Sequence, residues 1–373
     1  MNIGFDAKRA FHNGSGLGNY SRNLLRSLAV YHPEDHYHLY DQSPSEARFF
    51  DANSGGSSFL VHAPVGFGRS FKGLWRSFGI TESLNTDGID IYHGLSNELP
   101  FNINRFRGKK VVTVHDLIFI RYPALYAGFD RAFYHAKVNQ ACSDADVVVA
   151  ISEQTKQDLM QFMHVPSSKI RVVYQSCDAS FFSQSDEETK ERVRLHHNLP
   201  DTFLLYVGTI EERKNLMLIM DALARGIDIP LVVVGKKKAY YQQVIQRVQA
   251  LGLETRVVFL DAVSDADLPS IFQMAHAFIY PSRFEGFGIP IIEALASKTP
   301  VITTFGGVFP EAGGPSSLYI HPDRPLELVE AVRRLSSDSS FRAETIAEGA
   351  AYVERFRPEH TSAVMHALYK SLV

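Results

Sequence analysis

The chain has few of the residues on which disulfide, metal or membrane chemistry depends. Cys142 and Cys177 are its only cysteines in 373 residues, too few for a disulfide framework or a cysteine metal site. Its formal net charge of −3 gives no reason to expect nucleic acid as a partner. No apolar run approaches the ~20 residues of a membrane span, and the opening MNIGFDAKRAF reads as a strand instead of a signal peptide. We therefore expect a cytoplasmic protein, with peripheral contact to a membrane left open.

Most of the sequence consists of short apolar runs that alternate with amphipathic helical stretches such as Gly18–Tyr31 and Glu153–Met163. Runs such as LVVV and VVVAI lack polar alternation, as expected for parallel strands covered on both faces. This alternation predicts α/β domains with doubly wound parallel sheets. The predicted strands are Asn2–Asp6, Tyr37–Tyr40, Phe59–Val61, Asp90–Tyr92, Lys110–Val114, Asp146–Ile151, Ile170–Tyr174, Phe203–Val207, Leu231–Val234, Val257–Leu260, Ala277–Tyr280, Val301–Thr303 and Leu318–Ile320.

The strand–helix pattern lapses in the polar segment between Asp178 and Pro200. A chain of this length favours two domains, and a polar lapse is where a boundary falls. We predict one α/β domain at 1–180, a linker at 181–199 and a second α/β domain at 200–357. Two such domains would place a ligand in a cleft between them, at the carboxyl ends of the strands.

The stretch Tyr280–Lys298, YPSRFEGFGIPIIEALASK, concentrates the chemistry of the second domain. A strand leads into a loop that holds Glu285 and two glycines, and Pro290 then opens a helix with Glu293 in its first turn. Backbone N–H groups at such a helix start form an anion site. A Glu293 that only complemented the helix dipole, worth ~0.3–1 kcal/mol, would explain neither the glycines nor Glu285. We predict a pocket for a phosphate-bearing sugar donor, with Glu293 at the ribose and Glu285 at the sugar.

Other polar residues directly follow predicted strands. His115 follows KVVTV, at a strand end where a histidine can hydrogen-bond a sugar hydroxyl. Arg213 and Lys214 follow FLLYVG, and two adjacent cations suit a diphosphate, although the two glutamates before them can also pair with them. Lys236–Lys238, after LVVVG, has the same ambiguity, and we interpret it as surface.

Two further segments each allow two interpretations. The cluster Gly14–Gly18 either brings backbone close to a phosphate at a helix start or forms a flexible entry loop. It is not a dinucleotide fingerprint, because it lacks the G-x-G-x-x-G spacing and lies about seven residues beyond the strand. The segment Arg69–Phe78, RSFKGLWRSF, is either a contact to a membrane or lipid-linked acceptor, or a helix with Trp75 and Phe78 turned inward.

Together these pieces resemble the retaining glycosyltransferases of family 4, whose GT-B fold has two Rossmann-like, doubly wound parallel-sheet domains facing across a cleft. EGFGIPIIE matches the E-x7-E motif of that family, and EALASKTPVIT matches its usual sequel. GSGLGNYSRNL, VVTVHDLIF, YVGTIEERKNL and FPEAGG follow in the family's order. The GTIEERKN form is similar to that of bacterial mannosyltransferases of surface-polysaccharide synthesis.

The resemblance implies a role for each matching residue. The catalytic residues would contact the donor sugar and its diphosphate, and the donor-binding residues would bind the phosphate, the base and the ribose. The implied catalytic residues are His115, Arg213, Lys214 and Glu285. The implied donor-binding residues are Gly16, Thr209, Val263, Phe287, Gly288, Ile289 and Glu293. Members of the family also return their last helix, here Pro358–Val373, to the first domain.

The chain departs from the family pattern at two positions. Thr209 stands where many members have arginine, so the charge of the diphosphate would rest more heavily on Arg213 and Lys214. Asp261 stands where a glycine is common, which leaves recognition of the base open.

The implied reaction moves a sugar with retained configuration from a nucleotide-diphosphate sugar to a glycan or lipid-linked acceptor. GDP-mannose is the first expectation for the donor and a UDP-sugar the second. No cofactor or metal is expected: Asp265-Ala266-Asp267 begins a helix, where we interpret it as a cap and not as a D-x-D metal motif. Two alternatives stay open, a GT-B nucleotide-sugar epimerase or phosphorylase, and a non-catalytic nucleotide-sugar binding protein.

Overall fold

The structure, a computed structural model, describes residues 1–52, 59–64, 72–123 and 128–373. Within these residues the chain forms two compact units, one of Met1–Cys177 with Phe356–Val373 and one of Asp178–Arg355. Each unit is built on a single parallel β-sheet, as the apolar runs predicted.

The described residues of the first unit contain seven parallel strands, whose order reverses at the middle of the sheet. The strands are β1 Asn2–Asp6, β2 His36–Tyr40, β3 Phe59–His62, β4 Ile91–Gly94, β5 Lys109–Val114, β6 Val147–Ala150 and β7 Ile170–Val172. The helices are α1 Lys8–His12, α2 Gly16–Tyr31, α3 Lys72–Leu74, α4 Ile80–Thr86, α5 Ile118–Arg121, α6 Gly128–Asp144 and α7 Glu153–Met163, with a π-helical turn at Trp75–Gly79. The sheet order is β3-β2-β1-β4-β5-β6-β7, so the reversal lies between β1 and β4.

In the described residues of the second unit, six parallel strands form the sheet. They are β8 Leu204–Val207, β9 Leu231–Val234, β10 Val257–Leu260, β11 Ala277–Tyr280, β12 Val301–Thr304 and β13 Leu318–Ile320. The helices are α8 Glu187–His196, α9 Leu216–Leu223, α10 Tyr241–Ala250, α11 Leu268–Met274, α12 Ile289–Ala296, α13 Phe309–Gly313, α14 Pro325–Ser337 and α15 Ser339–Val353. The sheet order is β10-β9-β8-β11-β12-β13, so here the order reverses between β8 and β11.

The last helix, α16 Pro358–Lys370, belongs to the first unit, where it packs on α2. Tyr369 on α16 is fully buried, and its hydroxyl lies 2.6 Å from His93 Nδ1. A hydroxyl held by a buried partner anchors the end of the chain to the end of β4.

All the predicted strands are confirmed within a few residues, and several of them are buried along their whole length. Val147–Ala150, Leu231–Val234 and Ala277–Tyr280 have no exposed residue. Apolar runs without alternation are the pattern of parallel strands covered on both sides.

Two helices differ from what the sequence predicted. Helix α1 was not predicted, because a five-residue helix that buries two residues, Ala10 and Phe11, is too short to show a helical period. Segment 181–199, predicted to be a linker, contains α8, which packs on α11 inside the second unit and buries Val193. A helix with so narrow an apolar face reads as polar in sequence.

The segment Arg69–Phe78 lies partly outside the described residues. Trp75 packs against the core of the first unit as predicted, but Phe78 is half exposed, against the prediction that it turns inward. The inward side chain is instead Arg76, which bonds Asp6 and, at 3.0 Å, Glu98. The π-helical turn at Trp75–Gly79 moves side chains off a regular helical face, which explains why the predicted pairing of the two aromatics fails.

Candidate active site

The candidate site of the second unit lies where its strand order reverses. Arg213 and Lys214 follow β8, in the short turn Glu212–Lys214, and Glu285 follows β11. Strands β8 and β11 are hydrogen-bonded neighbours, so the loops at their carboxyl ends lie side by side. Ligands of open α/β sheets bind in this position. The fold thus brings together three residues that the sequence assigned to catalysis from separate motifs.

Glu285 is the centre of this cluster. Its Oε1 accepts hydrogen bonds from Ser282 Oγ at 2.8 Å and Tyr280 OH at 2.9 Å. The same oxygen lies 2.8 Å from Arg213 Nη1 and 3.2 Å from Lys214 Nζ. Burial opposes ionisation of Glu285, but the charges of Lys214 and Arg213 outweigh it and lower its pKa to about 2. The carboxylate is therefore charged at neutral pH and holds both cations in place.

The second oxygen of Glu285 accepts no hydrogen bond from a described residue. Every hydrogen bond that Glu285 accepts from a described residue falls on Oε1. Oε2 therefore keeps its capacity to accept from a sugar hydroxyl while Oε1 holds the cations.

Arg213 continues the network on its other side. Its Nη2 donates to Glu211 Oε1 at 2.7 Å, and Lys238 Nζ donates to Glu211 Oε2 at 2.8 Å. Arg213 also donates to the carbonyl of Phe284. The pairing with a preceding glutamate, which the sequence left open, is thus formed together with the pairing to Glu285. Lys238 is exposed, as interpreted from the sequence, and it joins the network because β9 neighbours β8.

The glycine loop after β11 presents free backbone donors at the start of α12. Gly288 has φ of 108°, a left-handed conformation that favours glycine, and a Cβ there would lie 3.2 Å from Ile291 Cδ1. Within the described part of the chain, the N–H groups of Gly288 and Ile289 donate no hydrogen bond. Phe287 is buried beside them. Unpaired N–H groups at a helix N-terminus bind anions, so the loop has the geometry of a phosphate site.

Glu293 lies in the second turn of α12, against the prediction that it lies in the first, because the helix already begins at Ile289. It is 8% exposed, and its carboxyl makes no hydrogen bond or ion pair with any described residue. Burial, with the negative charges of Asp178 and Asp265, raises its pKa to about 8. A buried carboxyl group without a partner is typical of a group that meets a ligand.

In the first unit, His115 follows β5 as predicted, but both of its ring nitrogens are in use. Nε2 donates to the carbonyl of Leu95 at 2.8 Å, so Nδ1 accepts from Gln175 Nε2 at 3.1 Å. Burial lowers the pKa of His115 to about 4. The ring is therefore neutral, and a hydrogen bond to a sugar hydroxyl would have to replace Gln175 or Leu95.

The glycine cluster of the first unit has one position where the fold demands glycine, and it is not Gly16. Gly16 begins α2, and no atom lies within 4 Å of the place its Cβ would take. At Gly18, in contrast, a Cβ would lie 1.8 Å from the carbonyl oxygen of Asn13. Gly18 is therefore required for packing, whereas Gly16 leaves the helix start open.

The remaining predicted residues lie at strand ends of the second unit. Thr209 follows β8 and Val263 follows β10, both partly exposed. Asp261, at the departure from the family pattern, forms an ion pair of 2.6 Å with Lys237. Ala262 takes the left-handed φ of 54° beside it.

The segment Asp265-Ala266-Asp267 precedes α11 as predicted, but its carboxylate does not cap the helix. Asp267 occupies the N-cap position, and its side chain binds Arg192 at 2.9 Å and His197 at 3.1 Å. Ser264 Oγ accepts from the N–H of Asp267 instead. The acid serves to hold α8, because the guanidinium of Arg192 attracts it more strongly than a backbone N–H does.

Two family descriptions match the chain in succession. "Glycosyltransferase Family 4" matches residues 14–181, in the first unit and the start of the second, and "Glycosyl transferases group 1" matches residues 187–351, in the second. The chain belongs to the GT-B glycosyltransferases.

This glycosyltransferase resembles bacterial enzymes of surface-polysaccharide synthesis. It is 25% identical over 376 residues to the O-antigen chain mannosyltransferase B of Escherichia coli, and the match covers 96% of each chain. It is 30% identical over 227 residues to the O-antigen chain mannosyltransferase RfbU of Salmonella typhimurium, over 61% of this chain and 60% of that one. The solved structure of Anabaena HepE in complex with UDP and glucose shares the fold, with a TM-score of 0.78, 19% identity and full coverage of both chains.

The side chains that sequence reasoning missed in this glycosyltransferase are Tyr280 and Ser282. Tyr280 ends β11, and its hydroxyl accepts from Lys214 Nζ at 2.6 Å while it donates to Glu285. It was counted as an apolar strand residue. The position of Tyr280 at the end of β11, two residues before Ser282, could have indicated that its hydroxyl reaches the site.

We expect the buried carboxyl group of Glu293 to make the stability of the second unit fall as the pH rises. Its pKa is about 8 in the folded chain and 4.5 ordinarily, so between these values the folded state carries one proton more than the unfolded state. The free energy of unfolding should fall by up to about 1.4 kcal/mol per pH unit across this window and level off above it. Glu293→Gln should remove this slope. Denaturation followed by circular dichroism at about pH 5.5 and about pH 7.5 measures it, and an equal slope in the variant would contradict the assignment.

In the part of the chain that the structure describes, no helix combines the length and apolar character that a membrane crossing requires.

Proposed function

We propose that this glycosyltransferase moves a hexosyl group, with retained configuration, from a nucleotide-diphosphate sugar to a glycan or lipid-linked acceptor. The observation that carries the proposal is the cluster of Arg213, Lys214 and Glu285 beside the free N–H groups of Gly288 and Ile289. Fixed cations and helix N–H groups at one strand-end crevice suit a diphosphate.

The chemistry follows from the charge that develops when the sugar leaves. Breaking the bond between sugar and phosphate builds positive charge on the sugar and negative charge on the diphosphate. Arg213 and Lys214, already held by Glu285, would stabilise that negative charge without reorganising, which is the condition for strong electrostatic catalysis. The leaving phosphate would accept the proton of the acceptor hydroxyl. With this positive charge in place, no divalent metal is needed, and the reaction rate should not change in EDTA.

The two glutamates of the E-x7-E motif have separate roles in this proposal. Glu285 would accept from a sugar hydroxyl through Oε2, and Glu293 would bind the hydroxyls of the ribose. Because Glu285 is committed to both cations, it does not act as a covalent nucleophile, unlike the carboxylate pair of a retaining glycosidase. His115 would contact the sugar, Gly16 the phosphate or the acceptor, Thr209 the diphosphate and Val263 the base.

GDP-mannose is the donor that the comparisons favour. The relatives that match over the longest parts of this chain include an O-antigen chain mannosyltransferase. A UDP-sugar is the second candidate, because HepE was solved with UDP and with UDP-glucose.

The first unit carries an exposed aromatic surface that suits a lipid-linked acceptor or peripheral contact with a membrane. The rings of Phe78 and Phe101 lie 5.7 Å apart, and both are about half exposed. On α6, Phe129 is 85% exposed, and Lys137 Nζ lies 4.8 Å from the centre of the Phe133 ring. Aromatic rings interleaved with cations are suited to the interface between lipid and water.

A nucleotide screen tests the donor site. Because GDP-mannose is the first candidate donor and a UDP-sugar the second, GDP should raise the melting temperature more than UDP, and UDP more than ADP. A nucleotide present at about 100 times its Kd stabilises the folded state by about 2.7 kcal/mol. Lys214→Ala should lose most of the shift caused by GDP. If none of the three nucleotides stabilises the protein, the donor site is wrongly assigned.

An assay with a nucleotide-sugar donor and an acceptor separates sugar transfer from the alternative functions. Mixing donor and acceptor should release free nucleoside diphosphate. An epimerase would leave nucleotide and sugar joined, and a non-catalytic binding protein would release nothing.

A further inference from the structure

An ion pair joins the two loops that follow β9 and β10 in the second unit. Lys237 lies in the loop after β9, and Asp261 is the residue that directly follows β10. The Nζ atom of Lys237 lies 2.6 Å from Oδ1 and 2.9 Å from Oδ2 of Asp261. Asp261 also stands where the family pattern commonly has a glycine, so the pattern does not supply this pair. The pair has no role in the function proposed above.

Backbone and side-chain contacts hold this ion pair next to the loop of the diphosphate cluster. A parallel backbone bridge joins Lys237 to Ile210, in the loop after β8 that also contains Arg213. The next residue, Lys238, donates to Glu211, which accepts from Arg213 in turn. The pair therefore lies at the carboxyl ends of the strands, one loop away from the cations assigned to the diphosphate.

A nucleotide in the donor site would bring its base to the loop that begins at Asp261. In the proposed function, the diphosphate lies at the ends of β8 and β11, and Glu293 binds the ribose. Burial, and then the negative charges of Asp178 and Asp265, raise the pKa of Glu293 to about 8, and Asp265 belongs to the loop after β10. Helix α11, which follows this loop, packs on α12, which carries Glu293. The base that the ribose carries would thus lie at the ends of β9 and β10, beside the ion pair.

The ion pair can meet a ligand without being broken. The side chain of Asp261 is 75% exposed, and each of its oxygens has two acceptor positions, of which Lys237 takes one. The ring of Tyr241 orients Lys237, whose Nζ lies 5.0 Å from the centre of the ring, and this ring meets that of Phe259 at 90°. An exposed ion pair contributes little to stability, so a ligand can share its groups at little cost.

We propose that Asp261 and Lys237 recognise the base of the donor and select guanine, an inference that rests on the proposed function. Guanine presents an acceptor, O6, next to two donors, N1–H and the N2 amino group. The carboxylate of Asp261 accepts from both donors, and the ammonium group of Lys237 donates to O6. Uracil has one N–H between two carbonyls, so one carbonyl would face the carboxylate. Adenine has an acceptor where guanine has N1–H, so it would also be disfavoured.

Isothermal titration calorimetry of the full chain with GDP, inosine diphosphate (IDP) and UDP tests the proposal. IDP differs from GDP only in lacking the N2 amino group. The wild type should bind GDP at least about tenfold more tightly than IDP or UDP, in line with a bidentate contact to a base. Asp261→Ala changes an exposed side chain and should fold. It should lower the affinity for GDP at least about tenfold, bind GDP and IDP about equally, and bind UDP no more weakly than the wild type does.

The direction of these changes separates base recognition from a general effect of charge. Removing a negative charge near a diphosphate should by itself strengthen the binding of every nucleotide, so a loss confined to GDP requires a contact to its base. Lys237→Ala should weaken GDP and IDP by the same factor, because both carry O6. Asp221→Ala breaks another surface ion pair of the second unit, 2.6 Å from Arg247, and should bind all three nucleotides as the wild type does.

Two kinds of failure can be told apart in the same titrations. A wild-type preference for UDP over GDP would overturn the selection of guanine while the donor site stands. An equal loss of GDP, IDP and UDP in Asp261→Ala would do the same, because it would show that the side chain only maintains the loop. If the wild type bound none of the three nucleotides, the proposed function would fall together with this inference.

Discussion

Replacing Lys214 by alanine is expected to lower kcat/KM for sugar transfer about 10²–10³-fold, the cost of removing one fixed group that stabilises charge in a transition state. Lys214 Nζ is held by the Tyr280 hydroxyl at 2.6 Å and by Glu285 at 3.2 Å, and its side chain is 12% exposed. A cation so placed needs no reorganisation when the diphosphate leaves. The loss should therefore fall mainly on kcat, with a smaller rise in KM. Steady-state kinetics with GDP-mannose measures both.

Lys236→Ala is the matched control for this substitution. Lys236 lies in the loop after β9, next to the loop of Lys214, and its side chain is exposed. It should transfer sugar at the wild-type rate. Wild-type kcat/KM in Lys214→Ala would refute the assignment of the diphosphate to this cluster.

Glu285→Ala is expected to lower both activity and stability. Removing one partner of a buried ion pair leaves uncompensated charge, which costs about 3–5 kcal/mol. Here it would leave Arg213 and Lys214 without the carboxylate that lies 2.8 Å and 3.2 Å from them. The cations would repel each other and shift, and the hydroxyl contact through Oε2 would be lost. We expect kcat/KM to fall at least about 100-fold, in line with loss of a positioned electrostatic group.

Calorimetry should follow the unfolding of Glu285→Ala, because the single tryptophan, Trp75, lies in the first unit and does not report on the second. The transition of the second unit should move to lower temperature while that of the first stays in place. Glu212→Ala removes an exposed glutamate from the turn that contains Arg213 and should change neither activity nor stability. A Glu285→Ala protein with wild-type activity would show that the carboxylate only packs.

Much of the fold could be predicted because buried parallel strands have an uninterrupted apolar sequence. The LVVV of β9 and the VVVA of β6 have one environment on both faces, so their composition alone identifies them. Helices with a narrow buried face were harder. Helix α8 buries Val193 among charged residues, and α1 is a little over one turn long.

The sequence predicted those residues of the candidate site that directly follow a strand. Arg213, Lys214 and Glu285 meet because β8 and β11 are neighbours at the reversal of the sheet, and doubly wound topology makes that meeting predictable. The finer contacts depend on side-chain directions that sequence does not give. Tyr280 serves as a polar link although its strand reads as apolar, and both nitrogens of His115 are taken by Gln175 and Leu95.

The most direct test of the central claim measures donor and product in the same reaction. GDP-mannose and octyl α-mannoside are incubated with the enzyme in EDTA, and NMR follows free GDP and the anomeric configuration of the new linkage. The account predicts one GDP released for each mannose transferred, an α linkage, and loss of both signals in Lys214→Ala. An inverted linkage, or conversion of the donor to another GDP-sugar without release of GDP, would contradict it.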